Sequence, residues 1–332
     1  MQIVLDSYGA SISTNNGMLL IKPHAGQPQT IAVRSVSSIM VNKGVRITSD
    51  AVMLALENDI RIIFSDRSGR AKGFIWNSRF GSIATVRKNQ LGFAASAEGM
   101  IWAIERIIKK VQSQGNLLMQ LAYTQPEKLK EVEKVVEVQK QIAQQLAKEK
   151  LERSENNNMP AGWDARLRGW EGTASRRYFR CISDLLPDNY KFKERSRRPA
   201  KDVFNSVLNY LYGILYSLIE IDLVKAGIDP QIGIFHADQY KHPVMVFDFI
   251  EPYRHWADMV VYRLCMSQSL TADCFEEIEN GLWLAGEGKK LVIHAFNSYL
   301  DEQVIIAGKP RKRINHLELE AKKLAKTLLK FK

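Results

Sequence analysis

The sequence predicts an α+β protein, a small β-rich domain over residues 1–80 followed by a larger all-helical domain over residues 81–332. Two observations carry this. Up to residue 80 the apolar residues come in short Ile- and Val-rich runs bounded by Gly, Pro and Asn. Beyond it they recur at i, i+3 and i+4 through long charged stretches.

In the first part "QIVLDS", "SISTNN", "MLLIKP", "QTIAVRSVSSIMV" and "IRIIFSD" read as strands, and "SDRSGRAKGF" as a tight turn between two strands. One helix interrupts them, "SDAVMLALEND", with Ser49 as its N-cap and Val52, Met53, Leu56 and Ile60 at helical spacing. The second part opens with "EGMIWAIERIIKKVQSQGNLLMQLAY", whose stripe includes Ile101, Ile104, Ile107 and Ile108. "PEKLKEVEKVVEVQKQIAQQLAKEKLERS" is a long charged helix with a thin apolar stripe. The polar, turn-rich "ENNNMPAGW" breaks the helical pattern. Helix resumes at "WDARLRGWEGTASRRYFRCISDLL" and at "VFNSVLNYLYGILYSLIEIDLVKAG", where Asp202 is placed to cap. It returns at "YRHWADMVVYRLCMS", at "FNSYLDEQVI" and in the tail.

Composition narrows the function class. At 45% hydrophobic and 25% charged the 332 residues are ordinary for a globular chain with two cores. Three cysteines, Cys181, Cys265 and Cys274, lack C-x-x-C spacing and point to a reducing, cytoplasmic compartment. "MQIVLDSYGA" shows no signal-peptide pattern, and the longest uncharged run, between Asp202 and Glu220, falls short of the ~20 apolar residues of a membrane span. No membrane association is expected. The net charge is +11, and the tail from Lys309 to Lys332 holds nine Lys or Arg against two Glu. Such an excess suits an anionic partner, most commonly nucleic acid, or equally a solvated helix kept for solubility.

Three stretches could carry chemistry. In "GWEGTASRRYFRCI", Glu171 lies between Trp170 and Gly172 and is followed by Arg176 and Arg177. The glycine weakens a helix by ~1 kcal/mol relative to Ala, but it admits a bulky anion such as a sugar-phosphate backbone. Alone, the glutamate reads better as an exposed acid near a helix end paired with an arginine. In "KFKERSRRPAKDVFN" the cations Lys191, Lys193, Arg195, Arg197 and Arg198 stand against one acid, with Tyr190 and Phe192 interleaved. Arginine gives planar, permanently charged donors for phosphates. In "AGIDPQIGIFH" and "HPVMVFDFIEPYR" short apolar runs lead to His236 and then to Asp248 and Glu251. Pro252 suits a first helical turn, which would set the two acids at a helix N-terminus, where carboxylates are favoured in any case. His242 and His255 add no zinc-like spacing. Together, an imidazole and two or three carboxylates in a basic chain suit Mg²⁺ or Mn²⁺, which bridge carboxylate and phosphate oxygens. The residues thus reach metal-dependent phosphodiester chemistry on nucleic acid.

The runs "WEGTASRRYF", "RSRRPAKDVFNSVLNYLYGIL", "AGIDPQIGIFH" and "VFDFIEPYR", in this order and at these separations, resemble the CRISPR-associated endonuclease and integrase of spacer acquisition, the first-numbered Cas protein. "ITSDAVMLALENDIRIIFSDRSGRAKG" and "IIKKVQSQGNLL" agree, so the resemblance spans the chain. It implies an N-terminal dimerisation domain over residues 1–80 and a helical catalytic domain over residues 81–332. It implies a Mg²⁺ or Mn²⁺ site of Glu171, His236 and Glu251, with Asp248 supporting the site or ligating a second ion. The implied reaction is transesterification: the 3′-hydroxyl of a short DNA fragment attacks a phosphodiester at the edge of a CRISPR repeat. Implied partners are DNA, a second copy of the chain, and the small second-numbered Cas protein bridging two dimers. Thr173 and Ser175 stand where the family favours smaller residues, and Asn209–Leu211 replaces a glycine-containing turn; neither departure touches a ligand. From their charge, Arg176, Arg177, Arg195, Arg197, Arg198 and Arg254 are expected to position DNA phosphates. The alternatives are a nuclease of branched DNA using the same residues, or a non-catalytic DNA-binding scaffold whose acids cap helices.

Overall fold

The computed structural model describes residues 2–36, 38–66, 71–75, 83–156, 160–197, 199–236 and 242–331. Strands come first. β1 (Gln2–Leu5), β2 (Ser11–Asn15), β3 (Met18–Lys22), β4 (Gln29–Ile31), β5 (Ser38–Asn42) and β6 (Arg46–Ile47) precede helix α1 (Ser49–Glu57), and β7 (Arg61–Ser65) and β8 (Ala71–Ile75) follow it. They form two four-stranded sheets. One has the order β1-β5-β7-β8, parallel except for the last pair; the other has the order β4-β3-β2-β6, antiparallel except that β2 runs parallel to β6.

The alternation of side chains divides β5 and β7 between two cores. Ile39, Val41 and Ile62 pack with Ile12, Leu19, Ala51 and Ala55 in an N-terminal core, whereas Met40 and Ile63 face the helices. That is why all of "SIMVN" is buried, as in a sheet covered on both faces. Arg61 of β7 carries the junction further, meeting Asp222 at 2.6 Å.

The helix over 49–57 forms, with its cap one residue earlier than the sequence implies. Thr48, in extended conformation, accepts the Ala51 N–H, so Ser49 is already the first helical residue. The buried face carries Ala51 and Ala55, with Met53 54% exposed, because a sheet this close admits only small side chains. The tip of the turn in "SDRSGRAKGF" lies outside the described residues.

Helices dominate the rest: α2 (Ile83–Ala94), α3 (Ala97–Ala122), α4 (Leu129–Asn156), α5 (Trp163–Asp184), α6 (Val203–Lys225), α7 (Val244–Ile250) and α8 (Arg254–Met266). Asp202 caps α6 as expected, accepting the Asn205 N–H at 2.7 Å. By length and composition alone α6 could cross a membrane, contrary to the expectation from its uncharged run. It is the central helix of the core, with Phe204, Leu208, Leu211, Leu215 and Ile219 buried.

The helical part also carries two hairpins, β9 (Phe275–Ile278) with β10 (Gly281–Leu284) and, beyond α9 (Gly286–Asp301), β11 (Gln303–Ile306) with β12 (Lys309–Lys312). "FNSYLDEQVI" is therefore helix only to Asp301. The second hairpin turns through Ala307 and Gly308, both at positive φ (52° and 73°), the geometry that matches strand twist in a two-residue loop. α10 (Asn315–Lys330) closes the chain and buries Leu317, Ala321, Leu324 and Leu328 in the main core.

Candidate active site

Four elements meet at the site. α3 supplies Lys110, α5 supplies Glu171 and Ser175, the turn between α7 and α8 supplies Glu251, and the first turn of α8 supplies Arg254. The turn is a 3-10 segment over Glu251–Tyr253, in which Pro252 is tolerated because its missing N–H would have no helical acceptor. It packs on α3 and carries Glu251 inward until only 4% of the residue is exposed.

Glu171 and Glu251 are eighty positions apart in the chain, and one ammonium joins them. Lys110 Nζ donates to Glu171 Oε1 and lies 2.5 Å from Glu251 Oε2. Ser175, one turn along α5, also donates to Glu171 Oε1 at 2.9 Å. The departure at Ser175 therefore does touch an expected ligand. Arg254 donates from Nε and a terminal nitrogen to Glu251 Oε1 at 3.0 and 2.8 Å, and from its other terminal nitrogen to the Tyr216 hydroxyl at 3.0 Å. Gly172 leaves its side of α5 open, since a Cβ there would meet only an Arg176 nitrogen at 3.6 Å.

The charges are mutually supported. Burial works against ionising Glu251, but Arg254 and Lys110 outweigh it and hold its carboxyl far below the usual range. Burial likewise opposes the Glu171 carboxylate, and Lys110 overcomes it. Burial opposes the Lys110 ammonium too, and Glu251 and Glu171 together raise it above an ordinary lysine. Two carboxylates thus face two cations, with Lys110 and Glu251 buried and Glu171 partly open to water.

His236 is held from a different direction. The segment before it presses onto α7 so closely that a Cβ at Gly233 would lie 2.9 Å from the Val244 side chain. Asp248, in the middle of α7, accepts the backbone N–H groups of Ile234 (2.7 Å), Phe235 (3.1 Å) and His236 (3.1 Å). Its Oδ1 is 2.6 Å from His236 Nδ1. Asp248 does not sit at a helix N-terminus, as its spacing from Pro252 implied; it caps the loop that carries the histidine. With Nδ1 so occupied, Nε2 is the nitrogen left for a ligand.

A hard divalent cation fits this donor set. Glu251 Oε2 faces the ammonium without a well-directed hydrogen bond, a buried oxygen left short of a donor. Oxygen donors from Glu171 and Glu251 with His236 Nε2 form the mixed set that Mg²⁺ and Mn²⁺ accept. The side chains are not closed into a metal cage here: among the described residues no three His, Cys, Asp or Glu groups stand close enough to hold an ion.

The arginines expected to bind DNA divide into two kinds. Arg176, Arg177 and Arg197 are exposed, and the first two line, with Arg180 and Lys128, a cleft of about 470 Å³ along α5. Arg195 is committed to the protein. It donates to Asn205 and Asn209 and lies over the Phe179 ring at 5.2 Å, because the 191–197 loop folds back on α6. Arg254 is spent on Glu251 and Tyr216. Arg198 lies outside the described residues. Lys110 escaped the sequence reading, although Arg106 and Lys110, four apart among Ala103, Ile107, Val111 and Gln114, are charges on the buried face of a helix.

The family model described as "CRISPR associated protein Cas1" matches residues 3–298. A CRISPR-associated endonuclease Cas1 of Archaeoglobus fulgidus is 27% identical over 324 residues, covering 93% of this chain and 91% of its own. A solved casposase bound to an integration product superposes with TM-score 0.80 at 19% identity, covering all of this chain and 91% of that one. A chain of a Cas6-RT-Cas1–Cas2 complex superposes with TM-score 0.76 at 21% identity, covering 99% of this chain and 35% of that one.

Proposed function

We propose, because this chain belongs to the Cas1 family of CRISPR-associated proteins, that it is a divalent-metal-dependent DNA endonuclease and integrase. In this reading it joins the 3′-hydroxyl ends of short foreign DNA fragments into a CRISPR repeat by transesterification. The observation that carries the proposal is the convergence of Glu171 and Glu251 on one buried cation. Acids that only capped their own helices would not need each other across eighty residues.

Glu171, Glu251 and His236 through Nε2 would hold Mg²⁺ or Mn²⁺, which supplies charge neutralisation at the scissile phosphate. The rest of the work belongs to the chain. Asp248 fixes the ring of His236, and Arg254 and Ser175 orient the two carboxylates before substrate arrives, so that little reorganisation is left for the reaction. Tyr212 and Tyr216, flanking Arg254, keep that side of the site dry. Exposed Arg176, Arg177 and Arg197 draw the DNA backbone toward Gly172, beside which the Arg176 guanidinium itself stands. The likeness to the casposase and to the Cas1–Cas2 complex supports DNA and the small second-numbered Cas protein as partners. We assign residues 1–80 to homodimerisation and residues 81–332 to catalysis.

One observation favours a second reading. The cluster of Glu171, Glu251, Lys110 and Arg254 is electrically self-sufficient, as a non-catalytic DNA-binding scaffold would require. A single assay separates the readings: protein and its small partner with a labelled 3′-OH duplex and a supercoiled repeat-bearing plasmid, in Mn²⁺ or EDTA. Joining only in Mn²⁺, lost in Glu171→Ala and His236→Ala while DNA binding persists, is expected. Joining in EDTA, or by either variant, would overturn the assignment. Cleavage without joining would favour a nuclease of branched DNA.

A further inference from the structure

Lys110 is where the structure adds something to a metal-dependent reading. The residue is only 5% exposed, on the inward face of α3, and its ammonium touches a carboxylate on each of two other elements. A lysine buried there must have a task. Burying an ammonium carries a large desolvation cost before any partner is counted, and an apolar side chain would pack on α3 without that cost.

The oxygen atoms of Glu251 decide what that task is. Oε1 is taken twice by Arg254, at 3.0 and 2.8 Å, and Arg254 is itself fixed by the Tyr216 hydroxyl. Oε2 is the oxygen left for any further cation, and Lys110 Nζ stands 2.5 Å from it. Glu171 Oε1 is shared between the same ammonium and Ser175. A divalent ion held by both acids would have to face Glu251 Oε2, the oxygen that Lys110 already faces.

The charge count agrees. Glu171 and Glu251 are balanced by Lys110 and Arg254, so the four groups sum to zero. Adding a divalent ion to all four would leave two uncompensated positive charges in a site with little water to screen them. Withdrawing Lys110 as the ion enters leaves one, the complement of a single DNA phosphodiester.

We propose that Lys110 is a built-in stand-in for the metal: its ammonium and the divalent ion are alternative occupants of the space between Glu171 and Glu251. The stand-in keeps the carboxylates together while the site is unloaded and sets a threshold that metal must exceed. The neutral empty site turns positive only when loaded, which couples tight binding of a DNA phosphate to metal occupancy. This inference rests on the metal-dependent reading above, and the test tells the two apart.

Calorimetric titration of Mn²⁺ into the DNA-free protein is compared for wild type and Lys110→Met. The variant is expected to bind about tenfold tighter or more, because no cation has to leave. In EDTA its unfolding midpoint should fall below that of wild type, and Mn²⁺ should raise the midpoint more than it does for wild type. Should Lys110→Met not fold, the wild-type chain answers alone: acetylation of Lys110, followed by mass spectrometry, should rise several-fold when Mn²⁺ replaces EDTA. Mn²⁺ binding no tighter in the variant, or acetylation of Lys110 unchanged while wild type binds Mn²⁺, overturns the stand-in and leaves the metal reading intact. Absence of Mn²⁺ binding in wild type and variant alike overturns both.

Discussion

The Asp248 carboxylate lies 2.6 Å from His236 Nδ1 and at the same time accepts the backbone N–H groups of Ile234, Phe235 and His236. One side chain thus fixes both the ring and the loop that carries it. Replacing it with alanine strands three amides, each costing about 1–3 kcal/mol if left buried without an acceptor. Asp248→Ala is therefore expected to unfold at much lower denaturant than wild type. Asp248→Asn keeps an acceptor oxygen but turns an N–H toward other N–H donors and loses its charge beside His236. It should fold, with strand joining reduced about 10- to 100-fold, as is usual when the group behind a ligating histidine is changed. Urea unfolding and the plasmid-joining assay check the pair, and wild-type joining by Asp248→Asn would show that His236 needs no such support.

Asp258 offers a pH-dependent prediction. It lies behind Arg254, fully buried, with hydrogen bonds from Tyr178 (2.8 Å) and Tyr212 (2.7 Å). Burial pushes its carboxyl up to about 6, although the two tyrosine hydroxyls, Arg195 and Arg254 pull the other way. The folded chain thus holds this proton more tightly than the unfolded chain. The stability Asp258 contributes is full below the ordinary carboxylate range and is lost as pH rises through about 6. Between pH 5 and pH 7 the stability of wild type relative to Asp258→Asn should fall by about 1–1.5 kcal/mol. Urea titrations at several pH values measure this difference, and a flat one would show that the carboxyl titrates alike in both states.

What could be read in the sequence follows from the range of the interactions involved. Strand runs, the long helices and the Asp202 cap are local, and periodicity or one hydrogen bond fixes each. β11 and β12 were not legible, because "QVII" and "KPRK" are short and their turn, Ala307–Gly308, lacks the usual Asn-Gly signal. The family resemblance is what groups Glu171, His236 and Glu251; read singly, each acid has a capping or pairing role, and only taken together with the imidazole do they suggest a metal. Lys110 shows the reverse. Its signal, a lysine on an apolar helical stripe, was local and present, but its meaning depends on carboxylates contributed from α5 and from the turn before α8.

The arginines separate by environment, and mutation should separate them the same way. Arg195→Ala removes hydrogen bonds to Asn205 and Asn209 and the packing against Phe179, so about 2 kcal/mol of stability should go. Its effect on the salt dependence of DNA binding should be negligible. Arg176→Ala combined with Arg177→Ala strips exposed charge beside the site, leaving folding unchanged. Every duplex phosphate that the variant no longer neutralises should reduce the slope of log affinity against log salt by about 0.9. Thermal unfolding together with DNA titrations at several salt concentrations gives both readouts. A reduced slope for Arg195→Ala would restore it to the DNA-binding group.

The tail calls for a different experiment from the one its charge first invites. Its residues are not a loose basic arm: α10 buries Leu317, Ala321, Leu324 and Leu328 in the main core, and β12 is the partner strand of β11. Glu320 also pairs with buried Arg106 at 3.4 Å. Deleting residues from 309 onward would expose this apolar surface at about 25 cal/mol per Å² and leave Arg106 without its acid, so the truncated chain should fail to fold. Any loss of DNA affinity would then report unfolding. The informative variant changes charge alone: Lys323, Lys326 and Lys330, all on the exposed face of α10, replaced by Gln. It should melt within a few degrees of wild type. If the helix lies along DNA, affinity falls and its salt dependence flattens in proportion to the phosphates released. An unchanged slope, with lower solubility at neutral pH, would assign the basic face of α10 to keeping the chain in solution.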